Sequence, residues 1–123
     1  MPFLSIFLFS TSYAGEVDIV DAHFSKQGNQ WKANVTLKHE DTGWEHYADS
    51  WRVLDGQGNI IGTRVLYHPH VDEQPFTRRL SNITIPKGTT TVFIEAHDKE
   101  HGSAKKRHKV DLQLINRPTS QTK

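Results

Sequence analysis

The chain of 123 residues contains no cysteine, and its one methionine is the initiator. No disulfide can brace the fold in an oxidising compartment, so packing alone must hold it together. The soft thiolate and thioether ligands that select Cu(I) are missing too. Neither charge dominates: 15 Lys and Arg stand against 14 Asp and Glu, a formal net charge of +1. That balance gives no support to nucleic acid, an anionic membrane or an acidic ligand as partner. Ser/His/Asp, Cys/His and HExxH arrangements at recognisable spacing are absent, which argues against an enzyme of a familiar kind. There is no internal repeat, no low-complexity segment and no apolar run long enough to span a bilayer. Histidine, by contrast, is plentiful, with eight residues.

The opening MPFLSIFLFSTSYA, residues 1–14, is a short apolar run followed by small residues that suit cleavage before Gly15. This is the pattern of a secretory signal, although it lacks the usual basic flank. The expectation is a domain over residues 15–116, a polar tail over 117–123, and a periplasmic or secreted address. With no cysteine to take a lipid, no membrane anchor is expected after cleavage.

Beyond Gly15, short runs rich in Val, Ile, Thr, Phe and Trp are bounded by Gly, Pro, Asn and Asp, and no 3.6-residue period is sustained. The predicted strands are Glu16–Ser25, Gln30–His39, Tyr47–Leu54, Ile60–Tyr67, Phe76–Ile85, Thr90–His97 and Arg107–Ile115. Seven short strands in about 100 residues predict an all-β, immunoglobulin/fibronectin III-like β-sandwich. Alternation assigns faces: Trp31, Ala33, Val35 and Leu37 to the core, and Val92, Ile94 and Ala96 likewise. In the last run, Val110, Leu112 and Leu114 share a side. The break between Leu80 and Ile83 marks a bulge.

The segment from Ile85 through Pro86, Lys87 and Gly88 to Ala96 resembles the E–F corner and strand F of fibronectin type III domains, with Val92 where that family carries a Tyr. The stretches GWEHYADSWRVLD, HPHVDEQPFTR and AHDKEHG are similar to those of small exported bacterial proteins of unassigned function. That second resemblance covers most of the mature chain and implies a periplasmic address; it transfers no catalytic residues.

Strand direction alternates along the chain, so the second, fourth and sixth connections should share one pole. Those connections carry most of the histidines. His39 and His46 bracket the second, His68 and His70 lie in the fourth, and His97 and His101 bracket the sixth. Imidazole is the commonest protein ligand for Zn(II) and Cu(II), and Pro69 favours extended backbone that sends His68 and His70 to one side. The candidate metal ligands are His68, His70, His46, His101, His39, Glu73 and Asp98. Alternation makes His39 and Asp98 cap the core, while His97, His23 and His108 fall outside the set. Loop histidines also pair with carbonyls and carboxylates without binding anything.

The leading expectation is an exported carrier, buffer or sensor for Cu(II) or Zn(II). The alternative is a protein or glycan interaction module whose pole is rimmed by Trp44, Tyr47, Tyr67 and Phe76. A small metal-dependent hydrolase, with Glu73 or Asp98 as base, ranks third. The basic run Lys105–Lys109 reads as a solvated edge that deters strand addition.

Overall fold

The structure is a computed structural model that describes residues 16–115. The expected signal segment and tail lie outside the described residues. The elements are β1 (Asp18–Gln27), β2 (Gln30–Lys38), β3 (Ala48–Leu54), β4 (Ile60–Val65), β5 (Phe76–Ile83), β6 (Thr91–Asp98), β7 (Gly102–Ser103), β8 (His108–Asp111) and a single helical turn, α1 (Leu112–Ile115). One sheet has the order β1-β2-β5. The other runs β4-β3-β6, with β7 and β8 both on the outer edge of β6. All pairings are antiparallel. The described residues contain no helix long and apolar enough to cross a membrane.

Period-two burial holds the sheets face to face. Trp31, Ala33, Val35 and Leu37 of β2, Trp51 and Val53 of β3, and Val92, Ile94 and Ala96 of β6 enter one core with Phe24 and Phe76. Each fully buried large side chain contributes about 1.5–3 kcal/mol. Without a disulfide, that sum must outweigh the chain's conformational entropy. The sheets approach closely at Gly62, where an added Cβ would lie 2.9 Å from Leu80 Cδ2. The bulge foreseen before Ile83 is present: Trp31 pairs with Ile83 and Ala33 with Leu80, leaving an extra residue on β5. Asn82 takes a φ of 59° there.

The last run departs from its expected form. Pairing stops at Asp111 and the chain turns helical at Leu112. Asp111 caps that turn, its Oδ1 accepting the Gln113 N–H at 2.9 Å, which satisfies a donor that a strand would have paired. The Leu112 N–H is held by Thr90 O at 2.8 Å. Ahead of β8, the two-residue β7 takes the end of β6, so one edge is shared by two short pieces. The fourth strand also ends at Val65, short of Tyr67.

Alternating direction does bring the second, fourth and sixth connections to one end of the sandwich. Lys99 N–H donates to Tyr47 O at 3.1 Å, joining the sixth to the second. His70 N–H donates to Asp41 Oδ2 at 2.7 Å, joining the fourth to the second.

Candidate metal centre

His39 follows Leu37 on the inward side of β2, and Asp98 follows Ala96 on β6, so both continue the core stripe to its polar end. Both are buried, at 4% and 0% exposure. The His39 ring lies between two carboxylates, with Nδ1 2.5 Å from Asp41 Oδ1 and Nε2 3.5 Å from Asp98 Oδ2. A carboxylate only accepts, so His39 Nδ1 carries its hydrogen toward Asp41. Asp41 is itself fixed from two other segments. Its Oδ1 also accepts the Ala48 N–H at 3.0 Å, and its Oδ2 accepts the His70 N–H. Gln74 braces the same corner, accepting from the His39 N–H and donating to His70 O, each at 2.9 Å.

His46 is delivered by a tight reversal in the second connection. Thr42 N–H donates to His46 O, and His46 N–H donates to Gly43 O, around Trp44 and Glu45. Gly43 sits at a φ of +151°, which a side chain rarely tolerates. The reversal turns the His46 ring edge-on to His39, with centroids 4.8 Å apart. Its Nε2 stands 3.9 Å from Asp98 Oδ1 and is buried without a hydrogen-bond partner among the described residues. His101 closes the outer side. Its Nδ1 is 3.2 Å from each Asp98 oxygen, and its ring centroid is 5.0 Å from that of His46. Asp98 Oδ1 also accepts the backbone N–H groups of Glu100 and His101. Oδ2 lies between His101 Nδ1 at 3.2 Å and His39 Nε2 at 3.5 Å.

His70 lies beyond Asp41, in a network of its own. Arg78 Nη2 donates to His70 Nε2 at 2.8 Å and reaches Glu73 Oε1 at 3.0 Å. The acceptor nitrogen of His70 is thereby used, and the ring stacks on Phe76 with centroids 4.1 Å apart. Burial, reinforced by the Arg78 guanidinium and by His68, lowers the His70 pKa and keeps the ring neutral. The same guanidinium, donating to Glu73, holds that carboxyl below its usual range. His68 is exposed beside His70, with ring centroids 4.8 Å apart, and its Nδ1 is 3.4 Å from Pro69 O.

No family model matches the chain. A Halomicrobium mukohataei protein described as "Putative lipoprotein" is 40% identical over 88 residues, covering 71% of this chain and 43% of that protein. The chain thus spans less than half the length of that relative. Among solved structures, a hypothetical protein of Pyrococcus horikoshii OT3 superposes with a TM-score of 0.54, covering 80% of this chain and 90% of that one at 13% identity. At that identity the likeness concerns the fold alone.

The seven candidate ligands therefore divide in two. Among the described residues, His39, His46 and Asp98 form a group compatible with a metal ion, their ligand atoms all within 4.8 Å of one another. His101 stands at its rim, while His70 and Glu73 gather around Arg78 and His68 lies beside His70. Two ligands about 2.0–2.2 Å from one tetrahedral ion are roughly 3.3–3.6 Å apart. The 3.5 Å between His39 and Asp98 already has that spacing; His46 Nε2, 3.9 Å from Asp98 Oδ1 in a group whose ligand atoms spread within 4.8 Å, must move inward to join them. Sequence reasoning missed Gln74, which no spacing signals, and the pairing of His97 Nδ1 with Asp49 Oδ1 at 2.5 Å on the outer face.

Proposed function

We propose that this protein is an exported metal-binding domain that takes one Cu(II) or Zn(II) ion per chain and acts as a carrier, buffer or sensor. The observation that carries this reading is the convergence of His39 Nε2, His46 Nε2 and the Asp98 carboxylate at the buried end of the core. His39, His46 and Asp98 are the proposed ligands, with His101 positioned to become a fourth. Asp41 is the outer carboxylate that orients a ligating imidazole in many metal sites. His68, His70 and Glu73 are assigned to the surrounding network, because Arg78 occupies the His70 nitrogen that a cation would need.

Export is supported by the apolar run at residues 1–14 and by the lipoprotein description of the relative. We read the sandwich as the fibronectin type III variety. In support, β4 pairs with β3, whereas an immunoglobulin constant-type fold carries its fourth strand on the opposite sheet. A second reading, a protein-binding pole without metal, is favoured by the 64% exposure of Trp44 and the 72% exposure of Tyr67 beside the same loops.

Calorimetric titration of metal-stripped protein with Zn(II) and Cu(II) separates these readings. One ion per chain is expected, with binding lost in His46→Ala and kept in His68→Ala. Absence of binding, or binding indifferent to His46→Ala, refutes the metal reading.

A further inference from the structure

The imidazoles of His46 and His101 have two nitrogens each, and in both rings one faces the core while the other faces outward. His101 Nδ1 lies 3.2 Å from both Asp98 oxygens, whereas its Nε2 lies 3.8 Å from Glu100 Oε1. His46 is set the same way, with Nε2 3.9 Å from Asp98 Oδ1 and Nδ1 3.8 Å from Glu100 Oε2. The two rings thus stand between two carboxylates. Asp98 is buried behind them, and Glu100, with a side chain 59% exposed, is in front. Asp98 Oδ1 accepts the Glu100 and His101 N–H groups, so one short turn holds the front of this pair against its back.

We propose that His46 Nδ1, His101 Nε2 and Glu100 form an outer position for the same Cu(II) or Zn(II) ion, in front of the buried set of His39, His46 and Asp98. The inference rests on the metal reading above and adds the place where the ion meets the protein. The tautomer of His101 supports it. A carboxylate only accepts, so His101 Nδ1 carries its hydrogen toward Asp98, and in the neutral ring the lone pair lies on Nε2. An imidazole that donates one nitrogen to a carboxylate presents the other to a metal. His101 therefore offers its ligand nitrogen outward before any ion is bound. Ligands of one tetrahedral ion are roughly 3.3–3.6 Å apart, and Glu100 stands 3.8 Å from each ring. Closing that gap turns exposed side chains, which change rotamer in picoseconds to nanoseconds, and disturbs no core packing.

Burial separates the two positions. His39 and Asp98 are closed off behind the rings, whose side chains are 15% exposed for His46 and 37% for His101. A neutral imidazole has one lone pair, so His46 serves one position at a time and the chain still takes one ion. With the ion outside, His46 Nε2 carries the hydrogen and Asp98 faces it. With the ion inside, solvent exchange has moved that hydrogen to Nδ1, where Glu100 faces it. The two carboxylates trade roles as the ion moves.

His39→Ala removes a ligand of the inner position and none of the outer. Titrated with Zn(II), this variant should keep one ion per chain, held more weakly than in the parent. Heteronuclear NMR of the ring nitrogens should show His46 metallated at Nδ1 and His101 at Nε2 in His39→Ala, and His46 metallated at Nε2 in the parent. Adding Glu100→Gln should weaken the residual binding at least about tenfold, whereas adding Glu45→Gln, the same charge change at an exposed position of the second connection, should leave it within about twofold. High salt screens the long-range field of both carboxylates, so the comparison reads ligation. Asp98→Asn, whose Oδ1 can still accept the Glu100 and His101 N–H groups, provides the same comparison if His39→Ala does not fold. Residual binding indifferent to Glu100→Gln overturns the outer position, as does a folded His39→Ala that takes no ion or that metallates His46 at Nε2. Each of these leaves the metal reading standing where the parent binds through His46. A parent that takes no ion, or whose binding ignores His46→Ala, refutes both.

Discussion

Asp41→Asn is the most informative single change at the histidine pole. The Asp41 side chain has no exposure and takes three donors: His39 Nδ1, the Ala48 N–H and the His70 N–H. An asparagine keeps the volume but replaces one oxygen with an NH2. If that group faces His70, the backbone donor of the fourth connection loses its acceptor. If it faces His39, both the ring and Ala48 lose theirs. Leaving a buried donor unsatisfied costs about 1–3 kcal/mol, and bonds to a charged acceptor lie at the upper end. The expected destabilisation is therefore about 2–4 kcal/mol, a large share of a typical domain's 5–15 kcal/mol. Urea unfolding with an unchanged m-value measures it. Asp72→Asn, on the exposed part of the fourth connection, is the control and should fall within about 0.5 kcal/mol of the parent. The same Asp41 variant should weaken metal binding about 10–100-fold, because His39 loses the partner that fixes its tautomer. An Asp41→Asn protein as stable as the control refutes the picture of Asp41 as a clasp between connections.

Three further outcomes follow from the same geometry. The His70 pKa is lowered in the folded chain, first by burial and then by Arg78, so between that value and the unfolded value near 6.5 the unfolded chain binds the extra proton. Stability attributable to His70 is complete above about pH 6.5 and is lost as the pH falls through the folded value, and His70→Gln should flatten the unfolding free energy against pH in that window. Gly62→Ala places a methyl group 2.9 Å from Leu80 Cδ2, and a loss of about 1 kcal/mol in thermal or urea unfolding is expected as Leu80 gives way; an unchanged midpoint would show the sheets free to part there. Glu40, Glu45 and Glu100 are exposed around the His46 side of the pole, so changing all three to Gln should slow Zn(II) association in stopped-flow at low salt, while dissociation changes little.

Much of the architecture was legible because burial follows period two. Trp31 to Leu37 and Val92 to Ala96 alternate cleanly, and extending those stripes by one step correctly predicted buried His39 and Asp98. The meeting of three connections at one pole followed from the parity of strand direction alone. The HPH motif drew attention for its spacing, yet His70 is taken up by Arg78, eight residues on, and by Asp41, 29 residues back. No local pattern carries such pairings. The end of the last strand was hidden for a related reason. Val110, Leu112 and Leu114 have strand spacing, but Asp111 offers a helix cap, and the cap prevailed.

The two buried carboxylates have different tasks, and that difference explains how the pole can be both rigid and receptive. Asp41 spends its oxygens on donors from three separate segments, so it fixes the relative positions of the second and fourth connections whether or not a cation is bound. Asp98 uses Oδ1 to close its own turn through Glu100 and His101 and sets Oδ2 between the rings of His101 and His39. Among the described residues His46 Nε2 has no hydrogen-bond partner, and it sits beside that carboxylate. A buried imidazole nitrogen left unbonded next to a carboxylate is costly in a site built only for packing. It is the arrangement expected where a cation completes the set, with His39 already oriented by Asp41 and His46 drawn inward on binding.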